Sequence, residues 1–239
     1  MACFVTAGPR GVTSHKRKTF HSVHSGPFAM ALQCPAFPWA DGGNFAANLL
    51  PMPLPLIAVF RGGYTGESVI SHQSATRMMD AIDRARFDPV FVTLTRERWS
   101  CETPEGRDIP LDRGTLEVMR GKGPERFAAA LIAIHGAPGE DGKLQGLLDM
   151  LGIPYQTGGV LNMALTFSKY STTAMLRQLG FPVANSLLLA DRDERTERDV
   201  LQHVGLPCFV KPDQSGSSIG ISKVKTEAGL RPALDIAFK

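Results

Sequence analysis

A lysine followed by a hydroxyl-rich loop is the first feature of this sequence that could do chemistry. The stretch FVKPDQSGSSIGISKVK, residues 209–225, places Lys211 at the end of an apolar run, with serines and glycines close behind it. In an extended strand Phe209 and Lys211 point to one face, and Cys208 and Val210 to the other. An ammonium group at a strand end, beside hydroxyl and backbone N–H donors, predicts a site for a nucleotide phosphate. A solvated lysine before a flexible hairpin is the alternative that these residues leave open.

Two further glycine-rich segments also follow apolar runs: RGGYTGES at 61–68 and HGAPGEDGKLQG at 135–146. Glycine lets a backbone approach a ligand closely, and the start of a helix favours an anion. None of the three segments has the GxGxxG or GxxxxGK[ST] spacing of the common phosphate-binding motifs. In open α/β sheets such loops meet at the carboxyl ends of the strands, so the three together predict one site.

The elements that must position these loops alternate along the chain from residue 54. Apolar runs of strand length lie at 54–60, 90–94 and 129–136, and helical spacing follows at 68–82 and 144–151. This alternation predicts an α/β fold with a parallel sheet covered on both faces. A turn within 98–112 predicts a small hairpin.

The second half of the chain continues the pattern. One helix is predicted over 161–179, followed by strands at 183–189 and 207–211 that flank a charged helix at 193–204. We place a domain boundary near residues 155–160.

The composition excludes several classes of protein. The net charge is +3, which is too small to argue for nucleic acid, and 43% apolar with 21% charged residues is ordinary for a globular protein. The four cysteines are scattered without a paired spacing, which favours a reducing cytoplasm. No apolar run approaches the roughly 20 residues that a membrane span needs.

Residues 1–52 differ from the rest because they show no sustained periodicity and are rich in His, Gly and Pro. We expect a non-homologous leader without regular structure and without function. It could be a basic transit peptide, or translation could begin at Met52, which we favour. A secretory signal fits less well, since no compact apolar segment follows the basic cluster.

Four blocks of the chain resemble the D-alanine–D-alanine ligases of the ATP-grasp superfamily. They are GGYTGESVIS (62–71), HGAPGEDGKLQGLLDMLGIPYQTGG (135–159), NMALTFSKYSTTAMLRQLGFPVA (162–184) and FVKPDQSGSSIGISKV (209–224). The resemblance implies an N-terminal parallel-sheet domain of Rossmann-like, pre-ATP-grasp type at 53–157. It also implies the first lobe of an ATP-grasp domain at 158–239, with the second lobe missing.

The resemblance also implies a reaction. Such ligases use ATP and Mg²⁺ (or Mn²⁺) to phosphorylate one D-alanine, and the amine of a second D-alanine then displaces phosphate to give D-alanyl-D-alanine for peptidoglycan. It further implies a homodimer in the cytoplasm, where the dipeptide is needed. From the net charge and the lack of a long apolar run we expect no nucleic acid or membrane partner. A D-alanine–D-lactate ligase shares every motif quoted, and a non-catalytic truncated or pseudogene product is the other alternative. We expect the 239 residues alone to be inactive.

On the amino-acid side, the resemblance assigns roles to three residues. Glu67 is the acid that contacts the amino group of the first D-alanine, His135 lines the same subsite, and Ser217 bonds Glu67. Glu67 and Ser217 are therefore the expected catalytic residues. Glu140 and Asp141 are expected to fix their loop by hydrogen bonds.

On the nucleotide side, the resemblance implies five residues, namely Lys169, Lys211, Gly216, Ser217 and Ser218. The two lysines are expected to hold ATP phosphates, and the backbone and hydroxyls of the loop to cover them. Some family members carry an acid where Ser215 stands, so that contact is altered here. The family's metal ligands are expected beyond the part of the pattern that this chain contains.

Overall fold

The computed structural model describes residues 3–7, 53–121, 123–191, 193 and 195–239. The elements within these ranges form two main sheets with helices packed on them. In the described part of the chain, no helix is both long enough and apolar enough to cross a membrane.

The first sheet has five strands and carries two of the glycine-rich loops at its strand ends, the first loop at 61–68 and the second loop at 135–146. Three strands are parallel, with β2 in the middle: β2 (Leu56–Gly62), β3 (Asp88–Leu94) and β8 (Ala129–Ile132). The antiparallel strands β4 (Trp99–Glu102) and β5 (Asp108–Ile109) extend the β3 edge, so the order is β5-β4-β3-β2-β8. The α/β prediction and the hairpin are therefore confirmed, although the sheet is mixed and not wholly parallel.

Helices and a second hairpin complete this part of the fold. Helix α1 (Ser68–Ala81) buries Ser71, Ala75 and Met79, which are four residues apart and so share one face. Helix α2 (Lys143–Leu151) stops at Gly152, whose φ of +66° is left-handed, as the glycine there predicts. The hairpin β6 (Glu117–Arg120) and β7 (Gly123–Arg126) was not predicted from the sequence.

The second sheet is antiparallel throughout and has the order β11-β10-β1-β9. Its strands are β1 (Cys3–Ala7), β9 (Asn185–Leu189), β10 (Cys208–Pro212) and β11 (Ser222–Val224). Helices α5 (Thr196–His203) and α6 (Leu230–Ala237) bury their apolar faces against one side, and a short 3₁₀ turn (Glu227–Gly229) precedes α6. Along β10 the buried residues alternate with more exposed ones, as predicted.

The prediction of one helix over 161–179 is wrong. Helix α3 (Val160–Phe167) ends at Ser168, and α4 (Lys169–Gln178) begins directly after it. Ser168 has extended backbone (φ −84°, ψ 111°), and its Oγ accepts a hydrogen bond from Ser171 N at 3.1 Å. A serine in this conformation caps the start of a helix. The helical spacing of apolar residues in the sequence therefore continues across the break between α3 and α4.

The prediction that residues 1–52 lack regular structure is wrong for β1. This strand lies between β9 and β10 and pairs with both, burying Phe4 and Val5. Its partners are far along the chain, so no local periodicity could indicate the pairing. The other residues of the predicted leader, including the proposed start at Met52, lie outside the described ranges.

Candidate functional site

The three glycine-rich loops meet at the carboxylate of Glu67, which is only 7% exposed. Ser217 Oγ donates a 2.5 Å hydrogen bond to Glu67 Oε1 across 150 positions of sequence. A β-carbon at Gly216 would lie 2.8 Å from the same oxygen, and one at Gly136 would lie 3.1 Å from Oε2. Because a β-carbon at either position would crowd this carboxylate, glycine is what allows the loops to approach it.

The first loop positions Glu67 through its own polar contacts. Thr65 Oγ1 accepts from Glu67 N at 3.3 Å and donates to the carbonyl oxygen of His135 at 3.3 Å. Ser71 Oγ accepts from Gly62 N at 2.9 Å inside the protein. The end of β2 and the start of α1 are therefore tied to the second loop before any ligand binds.

His135 is half-buried, and its Nε2 lies 3.1 Å from Ser74 Oγ. Both side chains line a cavity of about 250 Å³ together with Glu140 and Met163. Ser74 was not singled out from the sequence, although it lies one helical turn after Ser71 on α1. The contact fixes the imidazole beside the cavity.

Glu140 and Asp141 hold the second loop by hydrogen bonds, as predicted. Glu140 Oε2 accepts from Gly136 N at 2.9 Å. Asp141 Oδ1 accepts from Lys143 N at 3.2 Å, and its other oxygen pairs with the Lys143 ammonium.

Lys169 joins the start of α4 to the third loop, the hydroxyl-rich segment within 209–225. Its Nζ donates to the backbone carbonyl oxygens of Asp213 at 2.9 Å and Ser215 at 2.5 Å. Burial lowers the pKa of Lys169, the charge of Lys211 lowers it further, and Asp213 and Glu67 act in the opposite direction. Two of its three donors are occupied, which leaves one for a ligand.

Lys211 lies at the mouth of β10, as its place in the strand predicts. Its ammonium nitrogen is 5.0 Å from the centre of the Phe4 ring, in the geometry of a cation–π contact. Burial lowers the pKa of Lys211. The two lysines lie near enough for their charges to interact, so this side of the site is cationic.

The third loop has unusual backbone geometry. Ser217 has φ +49° and Ser218 has φ +60°, both in the left-handed region that side chains other than glycine seldom adopt. Each such residue costs about 1 kcal/mol or more. Ile219 N donates to the Gly216 carbonyl oxygen at 3.1 Å, and Lys169 holds the loop at Ser215, so neighbouring contacts maintain the turn. Backbone strain of this kind concentrates at functional sites.

Asp213 is a buried residue of the site that sequence reasoning missed. It is 3% exposed and accepts from Ser168 Oγ and from Tyr170 N, both at 2.8 Å. The carboxylate thereby fixes the start of α4, which carries Lys169. The only signal in the sequence was an acid placed between Lys211 and the serines.

The structure thus brings most of the predicted site residues together, and it adds Asp213 and Phe4. Within the ranges that the structure describes, no three His, Cys, Asp or Glu side chains gather to hold a metal ion. The roles of Glu67, His135, Ser217, Lys169 and Lys211 stay predictions, as do those of Gly216 and Ser218.

Family models match both parts of the chain. Residues 56–158 match the model described as D-ala D-ala ligase N-terminus, and residues 175–239 match the one described as D-ala D-ala ligase C-terminus. A D-alanine–D-alanine ligase of Phocaeicola vulgatus is 41% identical over 183 residues, which is 77% of this chain and 56% of that protein. The corresponding ligase of Porphyromonas gingivalis is 42% identical over 188 residues, covering 78% of this chain and 57% of that protein.

Solved structures of ligases also resemble the fold of this chain. D-alanyl-alanine synthetase A from Vibrio cholerae O1 biovar eltor superposes with a TM-score of 0.69 at 29% identity, covering 78% of this chain and 56% of that one. VanG D-Ala:D-Ser ligase from Enterococcus faecalis has a TM-score of 0.63 at 25% identity, covering 78% and 60%.

The chain is therefore an α/β protein of the class that these solved ligases define. It belongs to the D-alanine–D-alanine ligase family. It spans about 56% of the length of the first of these relatives.

Proposed function

We propose that this chain supplies the first amino-acid subsite and two phosphate-binding lysines of an ATP-dependent D-alanine–D-alanine ligase. The observation that carries the proposal is the contact between Glu67 and Ser217, which joins the loops of both parts of the chain beside Lys169 and Lys211. An anionic group for an amine and cationic groups for a phosphate lie next to each other there. A reaction between an amino acid and ATP needs that combination.

Glu67 is proposed to receive the ammonium group of the first D-alanine. Its carboxylate is buried and already accepts one hydrogen bond from Ser217, so the ligand's ammonium would be the charge that balances it. Ser217 orients the carboxylate by holding Oε1. His135, fixed by Ser74, borders the neighbouring cavity and would line the same subsite.

Lys211 and Lys169 are proposed to face the phosphates. ATP, when bound, supplies the phosphoryl group that activates the substrate carboxylate and leaves as phosphate when the second amine forms the peptide bond. The lysines would attract the nucleotide and stabilise the negative charge on the transferring group. Partial burial strengthens both effects because the surrounding water is reduced.

Mg²⁺ does not fit the residues that the structure describes, since they contain no cluster of three candidate ligands. We therefore assign no step of the reaction to a metal held by these residues. A cytoplasmic location is proposed from the cysteine usage and from the family. A homodimer is proposed from the family alone.

The test is calorimetric binding of ATP and of D-alanine to the 239-residue chain and three variants. Lys211→Gln should weaken ATP binding about tenfold and leave D-alanine binding unchanged. Glu67→Gln should weaken D-alanine binding about tenfold and leave ATP binding unchanged. Lys225 is an exposed lysine that directly follows β11 and has no part in the site described above, so Lys225→Gln is the control. The proposal fails if the unmodified chain binds no ATP or binds no D-alanine, or if Lys211→Gln behaves like the control.

A further inference from the structure

We propose that strand β1, which lies outside the residues shared with the family models, contributes to the structure of the candidate site. It completes the second sheet, and it holds the Lys211 side chain through Phe4. The second statement rests on the proposed function of Lys211, whereas the first does not. The matched residues begin at 56, and β1 ends at Ala7.

The pairing of β1 is that of a central strand. Val5 lies opposite Leu187 of β9 on one side and opposite Val210 of β10 on the other. In the order β11-β10-β1-β9, β9 reaches the rest of the sheet only through β1. Without this strand, both neighbours would present unpaired backbone N–H and C=O groups.

The two faces of β1 lie in different surroundings, one in the core and the other at the candidate site. Val5 is fully buried in the core beneath α5 and α6, where it packs with Val200, Val210 and Leu234. Phe4 points to the opposite face, as alternation along a strand requires, and is 3% exposed. That face carries the candidate site.

Phe4 contacts the surroundings of both lysines. Lys211 lies opposite Phe4 in the strand register, and its ammonium nitrogen is 5.0 Å from the ring centre. Tyr170, which follows Lys169 on α4, packs edge-on against the same ring at 6.3 Å between centroids. The face of an aromatic ring attracts a cation, so the ring limits where the Lys211 ammonium can lie.

Hydrogen exchange followed by mass spectrometry tests the strand. Val5→Pro in the full 239-residue chain removes a backbone donor from the middle of the sheet. Amides of β9 and β10 should then exchange at least tenfold faster, while those of β2 and β3 stay protected and serve as the internal reference. Unchanged protection of β9 and β10 would overturn the proposal.

Phe4→Leu tests the positioning role with a substitution that keeps an apolar residue in the strand. Protection of β9 and β10 should be retained, and ATP binding should weaken threefold to tenfold. The control is Phe209→Leu, because Phe209 lies on the neighbouring strand β10 and its ring faces a different lysine, Lys223, whose ammonium nitrogen is 5.8 Å from the ring centre. Equal ATP affinities for the two variants would overturn the role of Phe4.

The two measurements separate this inference from the proposed function. If the unmodified chain binds no ATP, the ligase proposal and the role of Phe4 both fail. The exchange experiment still decides by itself whether β1 completes the sheet.

Discussion

The hydrogen bond between Ser217 and Glu67 should show a measurable coupling free energy. The Glu67 carboxylate is 7% exposed, and the Ser217 hydroxyl reaches it at 2.5 Å. A hydrogen bond to a charged group contributes about 1.5 to 3 kcal/mol. Ser217 itself is exposed, so water can partly replace its hydroxyl, and we take the lower end, about 1.5 kcal/mol.

This magnitude predicts the effect of Ser217→Ala on thermal stability. A loss of about 1.5 kcal/mol lowers Tm by about 3 to 6 °C in a chain of this size. Serine and alanine both carry a β-carbon, so the left-handed backbone at this position costs both residues about the same. The change in stability therefore reports the lost hydroxyl.

The assay is a double-mutant cycle with Ser217→Ala, Glu67→Met and the double variant, followed by urea unfolding at pH 7; methionine has no oxygen to accept from Ser217. Ser215→Ala is the matched control, because the Ser215 hydroxyl makes one long contact of 3.5 Å to the Gly216 carbonyl oxygen. A coupling free energy below about 0.5 kcal/mol would refute the reasoning, because the effects of substitutions at independent sites deviate from additivity by up to about that amount. Equal stability losses for Ser217→Ala and Ser215→Ala would refute it as well.

Three further predictions use the same site. Gly216→Ala should lower stability and weaken D-alanine binding, because its β-carbon would lie 2.8 Å from Glu67 Oε1. A β-carbon at Gly66 would meet open space, so Gly66→Ala is the control and should change neither property. Equal effects of the two substitutions in both assays would contradict this. Asp213→Asn should cost about 1 to 3 kcal/mol in urea unfolding, because an amide replaces one of the two oxygens that accept from Ser168 and Tyr170; an unchanged midpoint would speak against it. Burial holds the pKa of Lys169 below its ordinary value of 10.5. Between the lowered pKa of Lys169 in the folded chain and its ordinary value in the unfolded chain, the unfolded chain binds more protons than the folded chain. The free energy of unfolding should therefore rise with pH up to about 10.5. Lys169→Met should reduce this rise, and parallel stability curves for the two proteins would exclude the effect.

Local pattern was enough to predict several of the elements that carry the site. The apolar runs at 54–60, 90–94 and 129–136 became the three parallel strands, and the turn within 98–112 became a hairpin. Alternation along 207–211 placed Lys211 on the more exposed face of β10. These features depend on residues close together in sequence, whose periods of 2.0 and 3.6 can be read directly.

Contacts between distant residues could not be read in this way. Ser168 breaks a continuous helical pattern because its hydroxyl donates to Asp213, 45 positions away, while it also caps α4. Strand β1 looked irregular because its partners begin at residue 185. The bond between Glu67 and Ser217 spans 150 positions.

The sequence by itself determined the α/β class, the three glycine-rich loops and the residue types available for binding an amine and a phosphate. Only the tertiary structure decided that those loops meet at one buried carboxylate and that Phe4 lies under Lys211. The physical reason is that helix and strand periodicity follows from neighbouring side chains, whereas a site depends on which distant surfaces pack together.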